Sequence, residues 1–190
     1  MVSHHRRFSF VFMYETDKRS DFVKTTQIKK MALASLLAAV AVVLSPLSIP
    51  VGASKCFPIQ HLVNVIAGVF LGPWYAMGSA FITSLIRNIM GTGSLLAFPG
   101  SMCGAFLCGL VFSKSKNLIA GCLGEVIGTG IIGGLLAYPV ATMVMGKEAA
   151  LFAYVMPFLT ATMVGSFMAL MLLGILEKSG AFRMLQKMVE

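Results

Sequence analysis

The sequence predicts an all-α integral membrane protein, a bundle of six transmembrane helices. Hydrophobic residues make up 57% of the chain, charged residues only 12%, and the mean hydropathy is +0.87. Soluble domains average about 25% charged residues. Five long windows contain at most one charged residue each: 31–54, 56–86, 88–113, 117–146 and 149–176. Each window is long enough for a membrane-crossing helix, which needs about 20 apolar residues.

The second window sets the number of helices, because Leu71-Gly72-Pro73 interrupts it. Glycine favours the end of one helix, and proline is tolerated in the first turn of the next. The second and third helices are short, since 14 residues rise only about 21 Å against a membrane core of about 30 Å. A re-entrant pair is the alternative for these two. The predicted spans are Lys30–Leu47, Pro58–Leu71, Pro73–Asn88, Leu95–Phe112, Asn117–Met145 and Ala150–Glu177.

The distribution of Lys and Arg predicts the orientation. With the N-terminus in the cytoplasm, only Lys55, Arg87 and Lys147 of the 15 basic residues lie outside. This bias follows the positive-inside rule and predicts a multi-pass protein of the cell membrane with both termini in the cytoplasm. The net charge of +8 therefore reflects membrane topology. The basic residues are dispersed around helix ends, which argues against a nucleic-acid partner.

Residues 1–29 lack a spanning apolar run and carry mixed charge, so we expect a cytoplasmic, mobile extension before a membrane domain at 30–190. Two alternatives remain open. Translation could begin at Met31, or Lys29-Lys30 could start a signal peptide that is cleaved near Val51-Gly52-Ala53. Cleavage would leave an odd number of spans.

Polar and aromatic residues converge on the predicted outer side of the bundle. Gln60, His61 and Asn64 are spaced three and four residues apart, which places them on one face of the second helix. Arg87 and Asn88 end the third helix, and a flexible GTGS turn follows. Three aromatic residues lie in the outer parts of later helices. Interface anchors are the alternative for the histidine, the arginine and the tyrosines. The candidate substrate-binding residues are Gln60, His61, Asn64, Arg87, Asn88, Thr92, Phe98, Tyr138 and Tyr154.

Glu125 is the one acidic residue inside a predicted span. A carboxylate in such a place either finds hydrogen-bond donors or becomes neutral. Two roles remain open for it, a structural hydrogen bond to another helix and a substrate-binding role below the outer site. A membrane enzyme that uses His61 with Glu125 is a competing hypothesis, but the two residues are expected at opposite depths and no nucleophile motif accompanies them.

Ala34 and Ala38 form a small-residue face on the first helix. Two small residues four positions apart allow close approach of another helix. Packing inside the bundle and docking of a second membrane subunit are both compatible with this pattern. The four cysteines show no spacing typical of a zinc site, so the sequence predicts no metal and no cofactor.

Several motifs in order resemble the ThiW family, which comprises the substrate-binding S components of energy-coupling factor (ECF) importers for the thiazole precursor of thiamine. They are PIQHLVN, LGPWYA, LIRN, GTG and AFPG, and the resemblance covers nearly everything after residue 30. The N-terminal extension departs from the family pattern.

The resemblance implies a six-helix S component that is a transporter subunit and has no enzymatic activity. It would capture hydroxyethylthiazole from outside and associate with a shared transmembrane subunit and two ABC-type ATPases. Ala34 and Ala38 match the small-residue motif with which related S components contact the shared subunit. The chain has no Walker A pattern, which agrees with ATP hydrolysis by partners. Another thiamine-related or vitamin ligand, or a ligand-free membrane scaffold, is the alternative.

Overall fold

The computed structural model describes residues 24–51 and 54–189, and these form seven helices and one short hairpin. Six helices lie where the sequence predicts them, and the seventh is a short addition near the C-terminus. The helices are α1 (Lys24–Val43), α2 (Pro58–Leu71), α3 (Pro73–Ile89), α4 (Ala97–Ser115), α5 (Leu118–Val144), α6 (Val155–Lys178) and α7 (Ala181–Val189). The predicted extension at 1–29 falls mostly outside the described residues, and its last residues belong to α1.

Local signals in the sequence explain several helix ends. Pro58 and Pro73 occupy the first turns of α2 and α3, where a missing N–H costs nothing. Gly72 separates these helices with a φ of +83°, a backbone conformation that glycine adopts without strain. Asn117 caps α5, since its side chain accepts hydrogen bonds from the N–H groups of Ile119 and Ala120.

Four of the helices, α1, α4, α5 and α6, are long and apolar enough to cross a membrane. The helices α2 and α3 have 14 and 17 residues and are shorter than a simple crossing requires. A helical membrane bundle is therefore confirmed, whereas the six-span count stays a prediction. Backbone groups of short helices are tolerated at membrane depth where neighbouring helices cover them.

The segment between α1 and α2 forms an antiparallel hairpin that the sequence did not predict. Strand β1 (Ile49–Val51) pairs with β2 (Ser54–Cys56), and Ile49 lies opposite Cys56. Gly52 and Ala53, part of the alternative cleavage site, lie outside the described residues. The Cys56 thiol donates to the carbonyl of Pro157 over 3.2 Å and so ties the hairpin to α6. Burial raises the pKa of the Cys56 thiol, which favours the protonated donor.

Helix α5 departs from regular α-helical geometry. A π-helical segment at Val126–Gly133 follows its first two turns, and a second lies at Val140–Val144. Such segments are rare and often mark functional sites. The first one is rich in glycine, and a Cβ at Gly128 would lie 2.7 Å from the carbonyl oxygen of Cys103. The backbones of α4 and α5 therefore approach closely at this level.

The two ends of the bundle differ in character. At one end, which we call the hairpin end, lie the hairpin, the α3–α4 loop and the start of α6. The opposite end, which we call the basic end, contains the α2–α3 and α4–α5 turns and α7. An apolar cluster that includes Val69, Cys108, Phe112 and Leu173 fills the interior toward the basic end. Buried polar side chains concentrate on the other side of this cluster, toward the hairpin end.

Candidate functional site

A cavity opens into the bundle at the hairpin end. Residues from α2, α3, α4, α5, α6 and the two adjoining loops line it, so the site depends on the whole bundle. Its volume is about 40 Å³, which is enough for only a few water molecules. The lining residues are Phe57, Gln60, His61, Arg87, Ser94, Leu96, Ala97, Gly100, Ser101, Thr129, Phe158 and Ala161.

A continuous chain of hydrogen-bonded side chains runs beside this cavity. Arg87 Nη1 donates to Gln60 Oε1 over 3.1 Å, and Gln60 Nε2 donates to Asn64 Oδ1 over 3.2 Å. Asn64 Nδ2 then donates to Glu125 Oε1 over 3.1 Å and lies 3.3 Å from the carbonyl of Ser101. The spacing of four residues on α2 places both amides on one helix face, as the sequence predicted.

Glu125 ends this chain and is fully buried. Besides the Asn64 amide, its Oε1 lies 3.0 Å from His61 Nδ1 and 3.0 Å from the Thr129 hydroxyl. The single hydrogen of that hydroxyl can also reach the Gly100 carbonyl at 3.2 Å. A carboxylate with several donors is stabilised in a setting where an isolated charge would be costly.

The expectation that His61 and Glu125 lie at opposite depths is wrong. Helix α2 is short, so His61 lies only about 15 Å along its axis from the basic end, at 1.5 Å per residue. Glu125 lies about 11 Å from the start of α5 by the same measure. The remaining difference is within reach of the two side chains, which meet at 3.0 Å.

The second oxygen of Glu125 is turned toward α4. A Cβ built on Gly104 would lie 2.6 Å from Oε2 and would also collide with the Thr129 hydroxyl. Only glycine at this position leaves room for the carboxylate. Oε2 has no hydrogen-bond partner among the described residues, and Glu125 is not one of the residues that line the cavity. Its direct influence on the cavity passes through His61 and Thr129.

Arg87 lies at the other end of the hydrogen-bonded chain, close to the end of α3, and its side chain is 1% exposed. The ring of Phe57 covers one face of the guanidinium, 3.7 Å from the central carbon. Arginine commonly stacks on aromatic rings in this way. The atoms Nε and Nη2 are buried and have no partner among the described residues.

Asn88 and Thr92 shape the α3–α4 loop and do not line the cavity. Asn88 Nδ2 donates to the carbonyls of Ser84, over 2.8 Å, and Ser94, over 3.0 Å. Thr92 accepts a hydrogen bond from the Ser45 hydroxyl over 3.1 Å. These contacts hold the loop against the end of α3 and place Ser94 at the cavity.

The three aromatic residues predicted for the site lie outside the cavity lining. Phe98 packs on Phe81, with ring centres 5.6 Å apart. Tyr154 is buried behind Phe158, with ring centres 6.5 Å apart, and Tyr138 is partly buried elsewhere on α5. Phe158 and Phe57 provide the aromatic surfaces instead. The sequence offered a weak signal for them, since each adjoins a proline at the start of a helix.

Ala34 and Ala38 face the interior of the bundle. Ala38 is buried, Ala34 is partly buried, and the Ala34 carbonyl accepts a hydrogen bond from Ser79 of α3 over 3.1 Å. The structure therefore uses this small-residue face for packing of α1 against α3. The partly buried Ala34 leaves some of the face open.

A family model described as thiamine-precursor transporter protein (ThiW) matches residues 31–179. This match spans most of the chain and includes every residue of the cavity and its polar chain. The chain belongs to the ThiW family. No curated protein and no solved structure shows a significant match. The predicted family is confirmed, and family membership identifies a membrane-transport protein with a small-molecule substrate.

Proposed function

We propose that this ThiW protein is the substrate-binding S component of an ECF importer and that it captures hydroxyethylthiazole from outside. The observation that carries the proposal is the cavity at the hairpin end, where Gln60, His61 and Arg87 meet Phe57 and Phe158. Buried polar side chains beside apolar and aromatic walls are typical of small-ligand sites. Membership of a thiamine-precursor transporter family supports the choice of ligand class.

The cavity suits the chemistry of this ligand. Hydroxyethylthiazole has an aromatic ring that would contact Phe57 or Phe158, and a ring nitrogen and a hydroxyl that would pair with Gln60, His61 or Ser101. With roughly nine non-hydrogen atoms the ligand needs nearly complete enclosure to bind tightly. The cavity has room for only a few water molecules in this structure, so we propose that its lining moves apart when the ligand enters. The hairpin, which contacts α6 through Cys56, is the natural lid.

The orientation that we propose places the hairpin end outside the cell. Among the described residues, Lys55, Arg87 and Lys147 are the basic residues at this end. The other eight lie toward the basic end, which would face the cytoplasm according to the positive-inside rule. They are Lys24, Lys29, Lys30, Lys114, Lys116, Lys178, Arg183 and Lys187.

Energy for uptake would come from partner subunits. The sequence has no Walker A motif, so we propose that a shared transmembrane subunit and two ABC-type ATPases complete the importer. Contact with the shared subunit through α1 would use the partly open side of Ala34, because Ala38 is buried against the bundle.

The His61–Glu125 pair is also compatible with a general-base dyad, since His61 Nδ1 lies 3.0 Å from the carboxylate. A dyad requires a nucleophile or a substrate proton next to the histidine. Among the described residues, His61 makes no hydrogen bond to a serine, threonine or cysteine. The Asn64 and Thr129 contacts of Glu125 fit a structural polar cluster better than a catalytic base.

Calorimetry on the purified solitary chain in lipid nanodiscs tests the proposal. We expect saturable binding of hydroxyethylthiazole, with thiamine and inorganic pyrophosphate as comparison ligands. Gln60→Ala should weaken binding about tenfold, because it removes a buried polar contact of the site. Gln186→Ala, a matched change in α7 away from this cavity, should leave affinity unchanged. Absence of binding by every thiazole ligand would refute the assignment.

A further inference from the structure

Arg87 lines the cavity, and part of its guanidinium has no hydrogen-bond partner among the described residues. Its Nη1 is occupied by Gln60, and Phe57 covers one face. The remaining atoms, Nε and Nη2, are buried and have no partner within residues 24–51 and 54–189. In the planar guanidinium their N–H bonds lie side by side on one edge, which matches two oxygens of a carboxylate or phosphate.

No carboxylate among the described residues lies within salt-bridge distance of Arg87. The contact of this kind found there joins His61 to Glu125, and two amide side chains separate Arg87 from that carboxylate. A buried charge without a counter-ion is costly. An anionic ligand would remove that cost upon binding.

Backbone hydrogen bonds fix the main chain at Arg87, the point from which its side chain extends. Its carbonyl accepts hydrogen bonds from the N–H groups of Thr92 and Gly93, each over 2.9 Å. A Cβ at Gly93 would lie 3.1 Å from the Arg87 Cβ and carbonyl carbon, so this close turn favours glycine. A receptor group that is rigid before binding loses little freedom when the ligand arrives.

We propose that the edge formed by Nε and Nη2 of Arg87 binds an oxyanion carried by the ligand. Among the thiazoles that the site accepts, a derivative with a phosphate monoester or carboxylate substituent would then bind more tightly than the neutral alcohol. This inference rests on the proposed function, since it assigns the ligand class of the same site. The apolar ring would lie toward Phe158 and Ala161, and the anionic group would pair with Arg87.

The test compares binding of three ligands to the wild-type chain in nanodiscs by calorimetry: hydroxyethylthiazole, its phosphate monoester, and a thiazole carboxylate of similar size. We expect the two anions to bind at least about tenfold more tightly than the alcohol, as expected for a charge-assisted bidentate contact. Inorganic phosphate should compete only weakly, because it lacks the ring. Competition by inorganic phosphate as strong as by the ester would overturn the thiazole part of the proposal.

Variants of Arg87 test the geometry. Arg87→Lys keeps a positive charge but loses the planar fork, so the preference for anions should fall at least about fivefold. Arg183→Lys, on the exposed face of α7, is the matched control and should keep the preference. Thermal unfolding of each variant shows whether it is folded. Should Arg87→Lys not fold, the wild-type comparison of the three ligands still decides the matter.

The outcomes separate this inference from the proposed function. Equal or tighter binding of the neutral alcohol by the wild-type chain would overturn the oxyanion site and leave the thiazole transporter standing. An unchanged anion preference in a folded Arg87→Lys variant would also overturn it. If none of the three thiazoles binds, both proposals fail.

Discussion

Glu125 and Arg87 are both buried charged residues in one hydrogen-bonded chain, yet they differ in the number of hydrogen-bond partners around them. Three side chains, His61, Asn64 and Thr129, approach one oxygen of the carboxylate at 3.0 to 3.1 Å. In the part of the chain that the structure describes, the guanidinium has one hydrogen-bonded acceptor, Gln60, and two nitrogens without partners. Its other contact is an aromatic ring.

The difference teaches which charge the fold needs and which one a ligand would use. The carboxylate joins α2 to α5 through three contacts to Oε1, although its Oε2 has no hydrogen-bond partner among the described residues. Arg87 lines the cavity, and its Nε and Nη2 have no hydrogen-bond partner among the described residues. Since buried charges are stabilised by partners, a charge that the protein leaves partly unpaired at a cavity is a candidate for ligand contact.

The largest expected effect is on stability, from removal of the carboxylate. Glu125→Ala leaves His61, Asn64 and Thr129 without their shared acceptor and opens a cavity. We expect a loss of about 3 kcal/mol in the free energy of unfolding, measured by thermal unfolding in detergent. Glu177→Ala changes an exposed carboxylate near the end of α6 and is the control. Equal stability of the two variants would mean that the cluster around Glu125 has no structural role.

A smaller loss is expected when the carboxylate is crowded but retained. Gly104→Ala places a methyl group against Glu125 Oε2 and the Thr129 hydroxyl, and such overpacking costs about 1 to 3 kcal/mol. Gly174→Ala is the matched control, because a Cβ there meets no atom of the described residues within 4 Å. The same unfolding assay measures both. If the two substitutions behave alike, α4 does not confine the carboxylate.

The smallest expected effect comes from removing the aromatic ring that stacks on Arg87. Phe57→Leu removes the ring that stacks on the guanidinium while keeping an apolar side chain. We expect thiazole affinity to fall by about 1 kcal/mol, in line with a partly desolvated cation–π contact, with little change in unfolding temperature. Phe152→Leu alters an exposed phenylalanine and serves as control. A large loss of stability with unchanged affinity would assign Phe57 to the fold and not to the site.

Part of the candidate site follows directly from local sequence. Pro58 marks the start of α2, and the spacing of Gln60, His61 and Asn64 places them near its beginning. Arg87 near the end of α3 comes from the same kind of reasoning, since the LGP turn defines where α3 begins. These four residues take part in the polar cluster, as expected. Sequence alone could place them, because the regular period of a helix converts spacing along the chain into position on the helix.

The remaining part depends on how helices turn relative to one another. Phe98 was expected in the site, but its neighbour Ala97 lines the cavity and Phe98 packs on Phe81. Consecutive residues on a helix point about 100° apart, and sequence alone did not specify which direction faces the cavity. Thr129 was missed although it lies four residues after Glu125, a spacing that brings two helical side chains together, and its hydroxyl contacts that carboxylate.

The sequence by itself determined that the protein lies in a membrane, which family it belongs to, and approximately where six helices begin and end. It could do so because hydropathy, proline and glycine act locally. It also identified Arg87 and Glu125 as charges that a membrane would reject unless they were paired or functional. Tertiary structure alone decided that His61 meets Glu125 and that Gly104 makes room for the carboxylate. It also decided that two nitrogens of Arg87 stay unpaired among the described residues, since pairing of buried charges depends on distances between helices that no local pattern encodes.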